Sequence, residues 1–221
     1  MQDINLVGLP GNYTVNLLDY VTDKDHDLSG VDLSNHPLIF WSSQSIYTGF
    51  NVSVNESSNW DGPASSANGF TMWAASDDAI LQVNFGSNKT FTFGGVTYDN
   101  IWLQSNGWLQ FGTSASTTFS ESFDTLLTIP SFAVPFDDLN SSDNNTGTET
   151  IGYKITNDQI IIIYDTSEWG STNQVQVKIT LNLDNHSELG SIRLDFGTLQ
   201  LLDGMIGVSY GSGSTFNGTT T

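Results

Sequence analysis

Val175-Gln176-Val177-Lys178-Ile179-Thr180-Leu181-Asn182-Leu183 alternates five apolar residues with four polar ones. Side chains of a β-strand point to opposite faces with period two. The stretch therefore predicts a strand of an antiparallel sheet with one face on a core and the other toward water. On this reading Val175, Val177, Ile179, Leu181 and Leu183 face inward, and Gln176, Lys178 and Thr180 face outward.

The same pattern recurs on both sides. Ile192-Arg193-Leu194-Asp195-Phe196, Thr90-Phe91-Thr92-Phe93 and Ile80-Leu81-Gln82-Val83-Asn84-Phe85 all alternate. Ile160 to Ile163 form a β-branched run that suits a central strand buried on both faces. Turn formers punctuate the runs: Gly94-Gly95, Asn106-Gly107, Asn157-Asp158, Asp184-Asn185 and Asp203-Gly204. The fold class is all-β, an antiparallel β-sandwich of jelly-roll-like type. Helix is expected only as a short turn between Glu121 and Leu127, and residues 139–150 read as a polar loop. The clearest strand series runs from 68 to 211. Ahead of it, Tyr13 to Leu17, Leu38 to Trp41 and Phe50 to Val54 alternate more weakly. The chain is therefore divided into residues 1–66, N-terminal strands that flank or complete the sandwich, and residues 67–221, the sandwich itself.

Composition narrows the function. The 221 residues hold 24 acidic and five basic side chains, a formal net charge of −19. Nucleic-acid binding requires a basic footprint, so it is excluded, and an anionic membrane surface repels such a chain. No stretch approaches the roughly 18 apolar residues of a membrane span, so no membrane insertion is expected. The excess acid implies bound divalent cations, a salty medium that screens self-repulsion, or both. There is no cysteine. Met1-Gln2-Asp3-Ile4 lacks the basic and apolar regions of a signal peptide, so a removed signal or an excised module is expected.

The sharpest motif is Asp23-Lys24-Asp25-His26-Asp27-Leu28-Ser29-Gly30. Carboxylates at alternate positions of a turning loop converge on one centre, as Ca²⁺ with its six to eight oxygen ligands requires. Asp23, Asp25 and Asp27 are the candidate ligands and Asp32 a fourth. The loop is not an EF-hand, since its sixth and twelfth positions are Leu28 and Ser34. The plainer reading is a solvated acidic turn. Asp77-Asp78 and Asp137-Asp138 are weaker pairs, each able to supply one ligand or cap a strand end. His26, His36 and His186 stand apart, without the nitrogen and sulfur company of a zinc site.

Catalytic patterns are poor. Gly207-Val208-Ser209-Tyr210-Gly211 has the spacing of a nucleophile elbow, but no helix pattern and no histidine follow it. Glu121, Asp124, Asp138 and Glu168 qualify as glycosidase carboxylates by type alone. No enzyme activity is expected. Among six tryptophans, Trp102 and Trp108 flank a turn and read as sheet-packing residues. Trp60 and Trp169 sit among loop residues, where an aromatic ring can stack on a sugar or anchor a peptide.

Gly95-Val96-Thr97-Tyr98, then Ser105-Asn106-Gly107-Trp108-Leu109-Gln110-Phe111-Gly112, Ala133-Val134-Pro135-Phe136-Asp137-Asp138 and Ile192 to Gly197 follow one another in order. Over about residues 80–211 this series resembles the nidogen-like β-sandwich modules of bacterial surface proteins. It departs at Phe136-Asp137-Asp138, where the aromatic usual between the Phe and the Asp pair is missing. Val15 to Asp27 is similar to the opening of cadherin-like repeats in large bacterial adhesins, whose Asp series binds calcium between modules. Together the resemblances imply an extracellular, calcium-binding cell-adhesion module at the cell surface of a biofilm-forming bacterium, and the low Lys/Arg count suits a marine or halotolerant host. Its partners would be neighbouring adhesin modules and a glycan or protein ligand. Two alternatives stand: a filament subunit assembled by strand exchange, and a carbohydrate-binding accessory module of a secreted hydrolase.

Overall fold

The expected alternation is realised as two facing sheets in the computed structural model of the chain, which describes residues 52–56, 60–113, 115–119, 123–126, 128–141, 149–187, 190–200 and 204–211. In chain order the strands are β1 (Val52–Glu56), β2 (Thr71–Trp73), β3 (Ile80–Asn84), β4 (Phe91–Phe93), β5 (Val96–Tyr98), β6 (Asn100–Gln104) and β7 (Trp108–Gln110). There follow β8 (Pro130–Phe136), β9 (Leu139–Asn140), β10 (Thr150–Ile155), β11 (Gln159–Glu168), β12 (Gln174–Asn182), β13 (Ile192–Leu199) and β14 (Met205–Tyr210). Helix among the described residues is confined to one 3₁₀ turn, Ser66–Asn68, and α1, Phe123–Leu126.

The large sheet runs β1-β13-β12-β11-β10-β2, with β9 added to β11. The facing sheet runs β14-β8-β7-β6-β3, and β4 and β5 form a separate hairpin. Among the described residues all pairings are antiparallel except β1 with β13, which is parallel. The inward positions of β12 and the residue after it are as expected: Val175, Val177, Ile179, Leu181 and Leu183 are all fully buried. Val177, Ile179, Leu181 and Leu183 share one core with Ile160, Ile162 and Tyr164 from β11 and Leu103, Leu109, Phe132 and Val134 from the opposite sheet. Phe111 stacks on Phe91 at 5.5 Å and meets Phe132 edge-on at the same distance, closing one end of the core. Burial drives the Tyr164 phenol far above its ordinary pKa, and its hydroxyl donates to the Gln104 carbonyl at 2.8 Å.

Thr180 departs from the expectation of an outward, exposed side chain. It lies on the outer face but is buried, because the longer side chains of Ile161 and Arg193 stand in register on either side of it. The outer face of the large sheet is also covered. The segment between β1 and β2 crosses it: Trp60 lies over Gly197, Asp61 pairs with Lys178, and Ala64 lies over Gly152. A β-carbon at residue 197 would stand 3.0 Å from the Trp60 ring, so glycine makes room for the indole. A second crossing covers the outer face of the five-stranded sheet. There the Gln110 amide donates to the Ser116 carbonyl at 2.8 Å and accepts the Ser116 N–H at 2.7 Å, while Gln104 donates to the Thr118 carbonyl. Trp108 is fully buried on this face, stacked on Phe136 at 5.2 Å.

A candidate ligand-binding tip

One end of the sandwich gathers the turn after β6, the loop before β3, the loop after β8 and the β11–β12 hairpin. The turn Ser105-Asn106-Gly107 organises them. Gly107 has φ +74°, and a β-carbon there would fall 1.7 Å from the Pro135 carbonyl oxygen. Only glycine permits this left-handed turn against that backbone. Ser105 exchanges bonds with Ala79, donating its N–H to the Ala79 carbonyl at 2.9 Å and accepting the Ala79 N–H on Oγ at 3.0 Å. Asn106 is fully buried and reaches two further loops. Its Nδ2 donates to Asp78 Oδ1 at 2.8 Å, its Oδ1 accepts the Leu139 N–H at 3.1 Å, and its carbonyl accepts the Asp137 N–H at 3.1 Å.

These bonds bring the two weak acidic pairs of the sequence together. Carboxylate oxygens of Asp77, Asp78 and Asp138 all lie within 4.8 Å of one another. Two oxygens on opposite sides of a Ca²⁺ at roughly 2.4 Å each stand about 4.8 Å apart, so the spacing and the all-oxygen donor set fit a hard cation. Asp137 takes a different part: it is buried, and its Oδ1 accepts the Asp138 N–H at 2.7 Å.

Trp169 stands beside this cluster. Its backbone N–H donates to the Asp138 carbonyl at 2.8 Å, and 48% of the residue is exposed. The hairpin beneath it is tied down. Glu168 pairs with Leu139 of β9, its N–H donates to the Asn173 carbonyl at 3.0 Å, and its Oε2 accepts from Asn173 at 2.7 Å and Ser171 at 3.2 Å. An exposed indole on a fastened backbone loses little freedom when a ligand stacks on it.

The other residues singled out from sequence have different surroundings. Trp60 is half-buried against Gly197 and belongs to the segment that crosses the large sheet. Ser209 is buried within β14, and its Oγ accepts the Gly211 N–H at 3.1 Å. Glu168 is spent on the hairpin. Glu121 and the calcium-loop residues Asp23, Asp25, Asp27 and Asp32 lie outside the described residues. Asn106 was legible in sequence only as half of an Asn-Gly turn; its amide bridge to Asp78 spans 28 residues and has no local signature.

Among known families, the model described as NIDO related matches residues 51–189. The match begins ahead of the 80–211 stretch that carried the resemblance and stops before β13. Comparison with curated proteins and with solved structures gave no match.

Proposed function

Because the chain belongs to the nidogen-related family, whose members are extracellular β-rich modules, we propose that it is a calcium-dependent binding module of a large bacterial adhesin. It presents its tip to a glycan or protein ligand at the cell surface and joins neighbouring adhesin modules through its ends. The observation that carries this reading is Trp169, half exposed on a hairpin bonded to Asp138, beside the carboxylates of Asp77, Asp78 and Asp138. Aromatic rings set at a rigid, hydrated surface are what sugar rings and peptide side chains stack on. Calcium has two places in the reading: the N-terminal series Asp23, Asp25, Asp27 and Asp32, and the tip cluster. At the tip the ion would neutralise like charges and offer open coordination positions to ligand oxygens.

The test is capture on immobilised glycan and peptide panels, with calcium and with chelator, by the parent chain and Trp169→Ala. The expected result is a ligand class held only in calcium and lost in the variant, with the melting temperature unchanged. Undiminished capture by Trp169→Ala, or no capture by the parent, overturns the reading.

A further inference from the structure

The five-stranded sheet contains no charged residue in any of its strands. This stands out in a chain with a formal net charge of −19. Among the described strands, the charged residues all belong to the large sheet, Lys154, Asp165 and Arg193 among them.

β14 forms one edge of that uncharged sheet, and no described strand pairs with its outer side. The directions of its backbone groups follow from the register. Phe111 donates to the Pro130 carbonyl at 2.8 Å and Val134 to the Gly107 carbonyl at 2.9 Å, so residues 130, 132 and 134 of β8 turn their groups toward β7. Alternation then turns Ser131 and Ala133 toward β14, where they meet Ser209 and Gly207. The N–H and C=O groups of Val208 and Tyr210 consequently point away from β8, to the side on which no described strand lies.

Beside that edge lies a shallow apolar crevice. Phe132, Val134, Ile206 and Val208 line one wall, and Ile192 and Leu194 of β13 line the other. Ile206 and Val208 keep 7% and 9% exposure, where Phe132 deeper in has 1%. Natural edge strands are usually guarded by lysine, proline or a covering segment. Met205-Ile206-Gly207-Val208-Ser209-Tyr210 has neither charge nor proline. Backbone groups that no described strand pairs and an adjoining apolar crevice are the two elements of recognition by strand addition.

We propose that β14 is the seat of an added strand, and that the strand is β14 of a second copy. The two would run antiparallel across a two-fold axis and join the five-stranded sheets into one of ten. A two-fold contact places the same patch on both sides. The patch must therefore tolerate its own charge, and strands β8 and β14 carry none. The other edge of the five-stranded sheet, β3, is also uncharged, but the apolar crevice lies at β14, and the strands of the large sheet bring carboxylates against carboxylates. Residual long-range repulsion is screened by salt, so pairing strengthens with ionic strength.

The test is residue-resolved amide hydrogen exchange on the full chain, paired with sedimentation velocity, over a range of protein and salt concentration. At low concentration the Gly207 and Ser209 amides should exchange slowly and those of Val208 and Tyr210 quickly. As a dimer appears, the Val208 and Tyr210 amides should slow over the same concentration range. A synthetic peptide of the sequence Met205 to Gly211, added in excess, should return the dimer to monomer. Slow exchange at Val208 and Tyr210 in the monomer overturns the proposal, since the chain itself would then cover the edge. So does fast exchange at every concentration, or a dimer that leaves both amides fast.

Discussion

Asn106 donates its side-chain amide to the Asp78 carboxylate at 2.8 Å, and so fastens the turn between β6 and β7 to the loop that enters β3. Its other side-chain atom, Oδ1, holds the Leu139 N–H. Asn106→Ala leaves that buried N–H without a partner, which costs roughly 1–3 kcal/mol. Denaturant melts should show the loss as a lower midpoint with unchanged slope, together with weakened calcium binding at the tip. An unchanged midpoint would mean that the loops hold their places without Asn106.

Gly107 is the more severe case. Alanine there carries the strain of a left-handed backbone, roughly 1–2 kcal/mol, and drives its β-carbon onto the Pro135 carbonyl. Gly107→Ala should fail to give a cooperative thermal transition, or melt far below the parent. A variant that melts close to the parent would contradict the packing of this turn against β8.

In the core, Val177 of β12 is fully buried among apolar neighbours. Val177→Asp places an unpaired charge there and should cost several kcal/mol, enough to unfold a domain of ordinary stability. Val177→Ala should cost less, as it only leaves a cavity. If the aspartate variant melts within a degree or two of the parent, the inward face of β12 is misassigned.

Asp165 offers a test in pH. Burial raises its pKa, against the bonds from Gln176 and Gln174 that lower it, and nearby Glu149 raises it further. A carboxylate whose folded pKa exceeds its unfolded one favours the folded state most below the unfolded value. That contribution is lost as pH rises through the folded value. Asp165→Asn should therefore raise the melting temperature at neutral pH, and the gain should vanish below the ordinary carboxylate range. A gain that persists into acid would place its origin elsewhere.

The fold was legible because alternation is a local signal. β12 and β13 can be read residue by residue, and so can the turns at Asn106-Gly107 and Asp184-Asn185, since each depends on neighbours in sequence. The outer faces were less legible. The burial of Thr180 depends on which side chains of the neighbouring strands, Ile161 and Arg193, stand in register with it, and the covering of Gly197 by Trp60 depends on a segment more than a hundred residues away in the chain. The tip was legible only in pieces. Asp77-Asp78, Asp137-Asp138 and Trp169 each stood out by type, but their meeting is decided by hydrogen bonds between loops. Periodicity carries no information about those bonds.

Calorimetric titration of calcium into the full chain tests the central claim most directly, with three variants beside it. One replaces Asp77, Asp78 and Asp138 by asparagine, one replaces Asp23, Asp25 and Asp27, and one combines both sets. The parent should take up calcium and gain about 2.7 kcal/mol of stability at 100 times the dissociation constant. Magnesium should substitute poorly, because it demands strict octahedral geometry. Each triple variant should lose part of the uptake and the combined variant all of it. No uptake by the parent, or uptake by the combined variant equal to the parent's, would contradict the account of this chain as a calcium-dependent binding module.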